Sequence, residues 1–166
     1  MGTTESAGIF IAPAWWDPQA RRVIVHKKSV VAGVLVSYAG NITFVGPADV
    51  VFDLRRGEAD VDFLRMSAAF DLRAAGTEYR IYLCPPVSGV PILDKDQLMA
   101  VGLGLTRTVT VVDWAADNLN KPAGDAGELG TIAGNIVRLV SADLAGALGK
   151  DRCAALRAAW SVDDPA

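Results

Sequence analysis

Five side chains that can carry positive charge fall within eight positions near the start of this 166-residue chain. They are Arg21, Arg22, His26, Lys27 and Lys28. Clustered cations of this kind can bind an anionic group, and the compact lysine ammonium suits a phosphate. The same residues also fit a solvated edge strand whose charges prevent aggregation. We therefore take the five as candidate ligand-binding residues, with the edge strand as the alternative.

Two adjacent tryptophans, Trp15 and Trp16, precede this basic cluster. Neighbouring side chains on extended backbone point to opposite faces, so both indoles cannot enter one core. An exposed indole is a frequent anchor for a protein partner. The alternative is that the segment wraps around the fold and buries one of the two rings. Trp15 and Trp16 are the candidate partner-binding residues.

The groups needed for nucleophilic catalysis or metal binding are sparse. His26 is the single histidine, and the adjacent lysines disfavour its protonated form, so we expect no catalytic triad built on it. Cys84 and Cys153 lie far apart in the sequence and lack metal-ligand spacing. We expect two reduced thiols, no metal, no cofactor and no catalytic residues.

One pair of carboxylates offers an enzymatic alternative. Asp113 and Asp117 are four residues apart, so they would share one face of a helix and could act in general acid–base chemistry. The alternative function is thus a small enzyme or small-molecule binder that uses carboxylates in a cleft formed by residues 86–125. The simpler interpretation is that Asp113 caps a helix and Asp117 is solvated. Asp60 and Asp62 are expected on a solvated strand face.

The composition is that of a folded, slightly acidic domain. Hydrophobic residues make up 51% of the chain, and 16 basic residues oppose 19 acidic ones, for a formal net charge of −3. A nucleic-acid binder would carry a large positive excess, so that class of partner is disfavoured. The sequence has neither a signal-like N-terminus nor an apolar run of about 18 residues, so we expect a cytoplasmic protein without a transmembrane segment.

Apolar and polar residues alternate with a period of two through residues 21–84, after an N-terminal arm at residues 1–20. The alternating apolar positions are Val34, Val36 and Tyr38; Ile42 and Phe44; Val50, Phe52 and Leu54; Val61 and Phe63; Phe70 and Leu72; and Tyr79, Ile81 and Leu83. Turn-forming residues separate these segments at 39–41, 46–47, 56–58 and 75–77. The pattern predicts about six or seven antiparallel strands, each with one buried face, that curl into a sandwich or small barrel.

The pattern changes after the strands. Residues 86–125 are predicted as an irregular elaboration, with one short helix capped by Asp94 and Gln97 and a β-branched strand at 108–112. Residues 127–160 are predicted as C-terminal helices. The first carries an apolar stripe from Leu129 to Leu148, which a second copy could cover in a self-associating structural subunit, here a homodimer. The second begins near Asp151.

The succession of strands and a late helix resembles the pleckstrin-homology superfold, in particular its bacterial GRAM-like members. The segments that carry the resemblance are Gly33–Val36, Ile42–Val45, Asp49–Leu54 and Glu78–Leu83. The resemblance implies a single α+β domain over residues 1–166, with a strongly curved antiparallel sheet or small barrel and C-terminal helices. It also implies a non-enzymatic binding module whose ligand is a protein or peptide, or a phospholipid headgroup at the basic cluster. Residues 86–125 have no counterpart in that pattern.

Overall fold

The computed structural model describes residues 9–18, 29–64, 68–119 and 149–161, together with Ala133, Gly134, Val137 and Val140. Their strands are β1 (Phe10–Asp17), β2 (Val31–Tyr38), β3 (Asn41–Val45), β4 (Val50–Arg55), β5 (Asp60–Phe63), β6 (Ala69–Ala74) and β7 (Thr77–Tyr82). Their helices are α1 (Lys95–Leu105), α2 (Val109–Leu119) and α3 (Gly149–Ser161), with a short 3-10 helix at Arg56–Glu58. The predicted α+β class is confirmed.

The seven strands form one antiparallel sheet in the order β4-β3-β2-β1-β7-β6-β5. Strands β1–β4 form one meander and β5–β7 a second, and pairing between β1 and β7 joins the two. Strands β4 and β5 lie at opposite edges and do not pair, so the sheet is open and not strongly curled. The predicted strongly curved sheet or small closed barrel is therefore wrong. The rings of Phe52 in β4 and Tyr79 in β7 lie on the same face, with centroids 5.0 Å apart.

The strands β2 to β7 match the segments that the alternation predicts. Two of their hairpins turn at Ala39-Gly40 and Ala75-Gly76, where all four residues have positive φ between 49° and 78°. A two-residue turn with this backbone matches the right-handed twist of the flanking strands, and glycine adopts it without steric cost. The predicted turns at these two places are confirmed.

Strand β1 lies at the centre of the sheet, in the segment that the sequence predicts as an N-terminal arm. It pairs with β2 from Phe10 to Trp16 and with β7 from Trp15 to Asp17. The strand is apolar almost throughout because a central strand is buried on both faces, so the alternation that reveals half-buried strands is missing. Pro13 is tolerated because it pairs with β2 alone, before the stretch that pairs with β7 begins.

Helices cover both faces of the sheet at β1 to β3. On one face α1 and α2 pack over Val34, Val36 and Val45. On the other face Leu156 and Trp160 of α3 pack in a cluster with Leu35, Phe44 and other strand residues. Strands β2 and β3 are consequently buried almost throughout, so the prediction of one solvated face is wrong for these two strands.

Residues 86–125 are more regular than predicted, as far as the structure describes them. The capping box at the start of α1 is confirmed, because the Gln97 amide donates to Asp94 Oδ1 at 2.8 Å and the Asp94 amide to Gln97 Oε1 at 3.0 Å. The predicted strand at 108–112 is wrong, because α2 begins at Val109 and buries Val111. Packing against the sheet has overridden the β preference of Thr and Val here.

The end of the chain follows the prediction where it is described. Cys153, Leu156 and Trp160 share the face of α3 that packs on the sheet. From the apolar stripe, Val137 and Val140 pack in the cluster beneath α1 and α2, and buried Ala133 contacts Gly102 of α1. These three residues are therefore covered within one chain. The rest of the stripe lies outside the described residues.

No single helix within the described ranges is long and apolar enough to cross a membrane. Helix α1 and residues 109–116 of α2 reach that length and composition only together, across a bend of 74°.

Candidate functional site: a polar groove beside β1 and β7

The sheet presents a charged surface where α1 and α2 do not cover it. Cross-strand pairing places charged residues in two rows on β5, β6, β7 and the end of β1. The rows are Asp60, Arg73 and Glu78, and Asp62, Asp71, Arg80 and Asp17. Five carboxylates thus share this face with two guanidinium groups. Asp60, Asp62, Arg73 and Glu78 are exposed, so most of the face is open to a partner.

A bidentate ion pair between Asp71 and Arg80 fixes the middle of this surface. Arg80 Nε donates to Asp71 Oδ1 at 2.8 Å, and Nη2 donates to Oδ2 at 2.9 Å. The Asp71 side chain is 7% exposed and that of Arg80 is 28% exposed. The hydrogen bonds from Asp71 raise the pKa of Arg80 further above its ordinary value, although burial opposes them. Arg80 is therefore a permanently charged group whose charge is largely balanced by Asp71.

The phenol of Tyr82 borders the same pair. Burial raises the pKa of Tyr82, the charge of Arg80 opposes that rise, and Asp17 adds to it. The phenol consequently stays protonated at neutral pH, where it serves as a neutral hydrogen-bonding group.

An open groove of about 410 Å³ lies where the end of β1 passes the turn between β6 and β7. Its lining residues are Trp16, Asp17, Pro18, Gly76, Thr77, Glu78 and Arg80. Trp16 is half-buried, and its ring packs on Tyr79 with 5.9 Å between centroids. Tyr79 in turn packs on Phe52. The Trp16 ring thus lies with Tyr79 and Phe52 on one face of the sheet, while Asp17, Glu78 and Arg80 lie on the opposite face.

The two tryptophans have different environments. Trp15 is 3% exposed, and its indole Nε1 donates to the Pro91 carbonyl oxygen at 2.8 Å. It therefore fixes the loop before α1 and cannot serve as an exposed anchor in the folded chain. Of the two candidate partner-binding residues, Trp16 remains a candidate, because it lines the groove.

The five candidate ligand-binding residues of the basic cluster lie outside the residues that the structure describes. They are Arg21, Arg22, His26, Lys27 and Lys28. In the sequence the cluster begins three residues after Pro18, which lines the groove. Its role in binding an anionic ligand stays a prediction.

Asp53 of β4 forms a network that the sequence did not reveal. Its Oδ1 accepts hydrogen bonds from the hydroxyls of Thr43, at 2.7 Å, and Thr110, at 3.1 Å. Its Oδ2 accepts one from the Val109 amide at 2.7 Å, at the N-terminus of α2. A carboxylate there satisfies an otherwise unpaired helix amide and interacts favourably with the helix dipole. Asp53 therefore attaches α2 to the sheet, through partners 56 and 57 residues away.

The structure describes one of the two carboxylate side chains of the enzymatic alternative. Asp113 is exposed within α2 rather than capping it, and the side chain of Asp117 lies outside the described residues. The described part of residues 86–125 packs as helices on the sheet. The cavity it encloses with β1 and β2 measures about 10 Å³, and no carboxylate lines it. Among the described residues, no group of three His, Cys, Asp or Glu side chains could hold a metal ion.

The two cysteines lie in segments that contact each other. Arg152 Nη1 donates to the Leu83 carbonyl oxygen at 2.9 Å, which joins α3 to the chain just before Cys84. Both cysteines are free and half-buried. Burial raises the pKa of the Cys153 thiol, and the nearby Cys84 adds to the effect. A raised pKa keeps a thiol protonated and unreactive, as expected of structural cysteines.

Comparisons with models of known protein families, with curated proteins and with solved structures found no match. Function is therefore inferred from the fold and from the groove.

Proposed function

We propose that the chain is a non-enzymatic, cytoplasmic binding module of pleckstrin-homology or GRAM-like type. Its ligand is a protein or peptide that docks in the groove between the end of β1 and β7. The observation that carries this proposal is the position of Trp16, half-buried at the groove and held by Tyr79. A rigidly held, partly exposed aromatic side chain is typical of the residues that dominate binding energy in protein interfaces.

The strand arrangement supports the proposed fold type. The sheet consists of two antiparallel meanders of four and three strands, joined by the first and last strands, and this arrangement is compatible with the antiparallel strand succession on which the resemblance rests. The C-terminal helix α3 packs on one face through Leu156 and Trp160. It follows the late helix that the resemblance implies and, like residues 86–125, is an addition to the family's pattern. Helices α1 and α2 are an addition to that pattern and cover the opposite face.

The hydrogen bonds that Asp53 and Asp71 accept support a binding function rather than a catalytic one. A general acid or base must exchange a proton with its substrate, so its carboxylate has to be accessible to that substrate. Asp53 accepts three hydrogen bonds that attach α2, and Asp71 accepts two from Arg80. Both carboxylates are thus used to position other parts of the fold.

Peptide selection tests the role of Trp16. Random peptides displayed on phage are selected on the whole chain, and their affinities are measured by calorimetry. We expect peptides whose affinity falls at least about tenfold, or about 1.4 kcal/mol, for Trp16→Ala, because the indole contributes the main apolar contact. Trp114→Ala is the matched control, since it removes another half-buried tryptophan that lies on α2 away from the groove. Circular dichroism verifies that both variants are folded.

Two outcomes would contradict this proposal. One is that every selected peptide binds Trp16→Ala as tightly as the original chain. The other comes from sedimentation with vesicles that contain anionic or inositol phospholipids. Salt-sensitive pelleting that disappears in the Lys27→Ala, Lys28→Ala double variant would identify a phospholipid headgroup as the ligand and the basic cluster as its site.

A further inference from the structure

The two outer strands of the open sheet differ in how well their free edges are protected. In the described part of the chain, no strand pairs with the outer side of β4 or of β5. Proteins commonly block such an edge with a short strand or with charged side chains, because its free amides and carbonyls can pair with another chain. Strand β5 has four residues, and two of them, Asp60 and Asp62, are exposed carboxylates. Strand β4 has six residues, and between Val50 and Arg55 its one charged residue is Asp53.

The carboxylate of Asp53 is engaged within the fold. Its two oxygens accept hydrogen bonds from Thr43, Thr110 and the Val109 amide, so the side chain is held against the start of α2. A charge that is held in this way is not available to repel an incoming strand. The edge of β4 is thus less protected than the edge of β5.

The main-chain groups of Asp53 point away from the sheet. The Arg56 amide donates to the Gly40 carbonyl oxygen at 2.7 Å, in register with the pairs between β3 and β4. The direction of main-chain hydrogen bonds alternates along a strand, so Leu54 bonds to β3 and its neighbours Asp53 and Arg55 face outwards.

The two outward-facing residues differ in their partners. The Arg55 amide donates to Glu58 Oε2 at 3.0 Å, which closes that end of the edge. Among the residues that the structure describes, no group bonds to the amide or the carbonyl oxygen of Asp53. A residue of an extended peptide bonds to such a donor and acceptor together, as in an antiparallel pair of strands.

Exposed valines flank this part of the edge. Val50 is 41% exposed and pairs with Val45, whose side chain packs in the cluster beneath α1 and α2. Val109 is 40% exposed and begins α2, where its amide donates to Asp53. A strand that pairs with Asp53 directs alternate side chains to this side of the sheet, so an apolar side chain there would cover the valines.

We propose that the outer edge of β4 binds an extended segment of a partner protein, which adds a strand to the sheet. The segment bonds through its backbone to the amide and carbonyl of Asp53, and one of its apolar side chains packs on Val50 and Val109. This surface is distinct from the groove, because β4 contributes none of the groove's lining residues. The inference therefore goes beyond the proposed function and does not depend on it.

Peptide selection on a chain that lacks the Trp16 indole tests this inference. Random peptides displayed on phage are selected on the Trp16→Ala variant, and each selected peptide is titrated into the ¹⁵N-labelled variant. We expect peptides that shift the amide signals of Val51, Asp53 and Val109. We also expect them to slow hydrogen exchange of the Asp53 amide, because that amide then donates to the peptide.

Methylation of the peptide backbone distinguishes strand addition from binding through side chains alone. Each amide of a selected peptide is methylated in turn. In an added strand every second residue bonds to β4, so methylation of those amides is expected to weaken binding by about tenfold. Methylation of the amides between them is expected to weaken binding by less than about threefold, because they face away from β4.

Two lysine substitutions test where the peptide lies. Val50→Lys places a charge beside the edge, and we expect it to weaken binding by about fivefold. Ile92→Lys is the matched control, since Ile92 is 64% exposed in the loop before α1, and we expect it to change the affinity by less than about twofold. Both native side chains are exposed, so both variants are expected to fold.

Three results would overturn the inference. They are that no peptide binds the Trp16→Ala variant, that the selected peptides shift signals of other surfaces and leave β4 unchanged, or that all methylated analogues bind equally. Protection of the Asp53 amide that rises with the concentration of the chain alone would also overturn it, because a second copy would then occupy the edge. The proposed function is tested separately, by the peptides whose affinity depends on Trp16.

Discussion

Replacement of Asp53 by alanine is expected to lower the free energy of unfolding by about 3 kcal/mol. The variant loses three hydrogen bonds, and the one from Val109 also neutralises the N-terminus of α2. The hydroxyls of Thr43 and Thr110 lie 2.6 Å apart and can still pair with each other, so the loss is smaller than three charge-assisted bonds would suggest. Asp53→Asn keeps an acceptor but loses the charge, and we expect it to lower the free energy of unfolding by about half as much.

Urea denaturation followed by circular dichroism measures this loss. Asp62→Ala is the control, because Asp62 is an exposed carboxylate in another strand and its removal should change stability by no more than about 0.5 kcal/mol. If Asp53→Ala and Asp62→Ala cost the same, then the carboxylate does not attach α2 to the sheet in the way described.

Replacement of Asp71 by alanine is expected to cost about 2 to 3 kcal/mol. The variant leaves the half-buried Arg80 guanidinium without the two carboxylate oxygens that accept its hydrogen bonds. Breaking a fully buried pair costs about 3 to 5 kcal/mol, and we expect less here because the Arg80 side chain is 28% exposed and keeps part of its hydration.

A double variant distinguishes the effect of the unpaired Arg80 charge from other causes of instability. Asp71→Ala combined with Arg80→Met removes both charges, and it should be more stable than Asp71→Ala alone. The exposed pair of Arg73 and Glu78 is the control, since Glu78→Ala should cost less than about 1 kcal/mol. A double variant that is less stable than Asp71→Ala would show that Arg80 contributes through contacts other than this pair.

The parts of the fold that the sequence predicted are those that local patterns determine. Strands β2 to β7 have alternating side chains or strong turn residues, such as Ala39-Gly40 and Ala75-Gly76, and a period of two identifies them directly. The capping box of Asp94 and Gln97 is likewise local and was predicted. The start of α2 was not predicted, because the β-branched residues at 108–112 favour a strand and the contact between the Val109 amide and Asp53 comes from a distant strand.

The parts that the sequence did not predict depend on how distant segments meet. Strand β1 is buried on both faces, and its uniform apolar sequence around Pro13 conceals that it is a strand. Because β1 joins the two halves of the sheet, an open sheet could not be distinguished from a barrel by counting strands. Pairing between β4 and β5 is what distinguishes a closed barrel from an open sheet, and no local sequence pattern indicates whether these two strands pair.

The groove itself could be predicted only in part. Trp16 was identified because two adjacent indoles cannot both be buried on one face, and it does line the groove. Glu78 and Arg80 were visible only as polar members of an alternating strand. Their position beside the end of β1 follows from pairing between the first and last strands, which the sequence spacing does not encode.

The central claim is that this groove is the ligand site, and mapping the contacts of a selected peptide tests it most directly. The peptide is titrated into the ¹⁵N-labelled chain, and the shift of each backbone amide and indole signal is recorded. The largest shifts are predicted at the Trp16 indole and at residues 76–80. The competing surface is the outer side of α1 and α2, where Met99, Leu103 and Val109 are exposed. If the largest shifts fall on that surface while the groove signals stay unchanged, the ligand site has been placed wrongly.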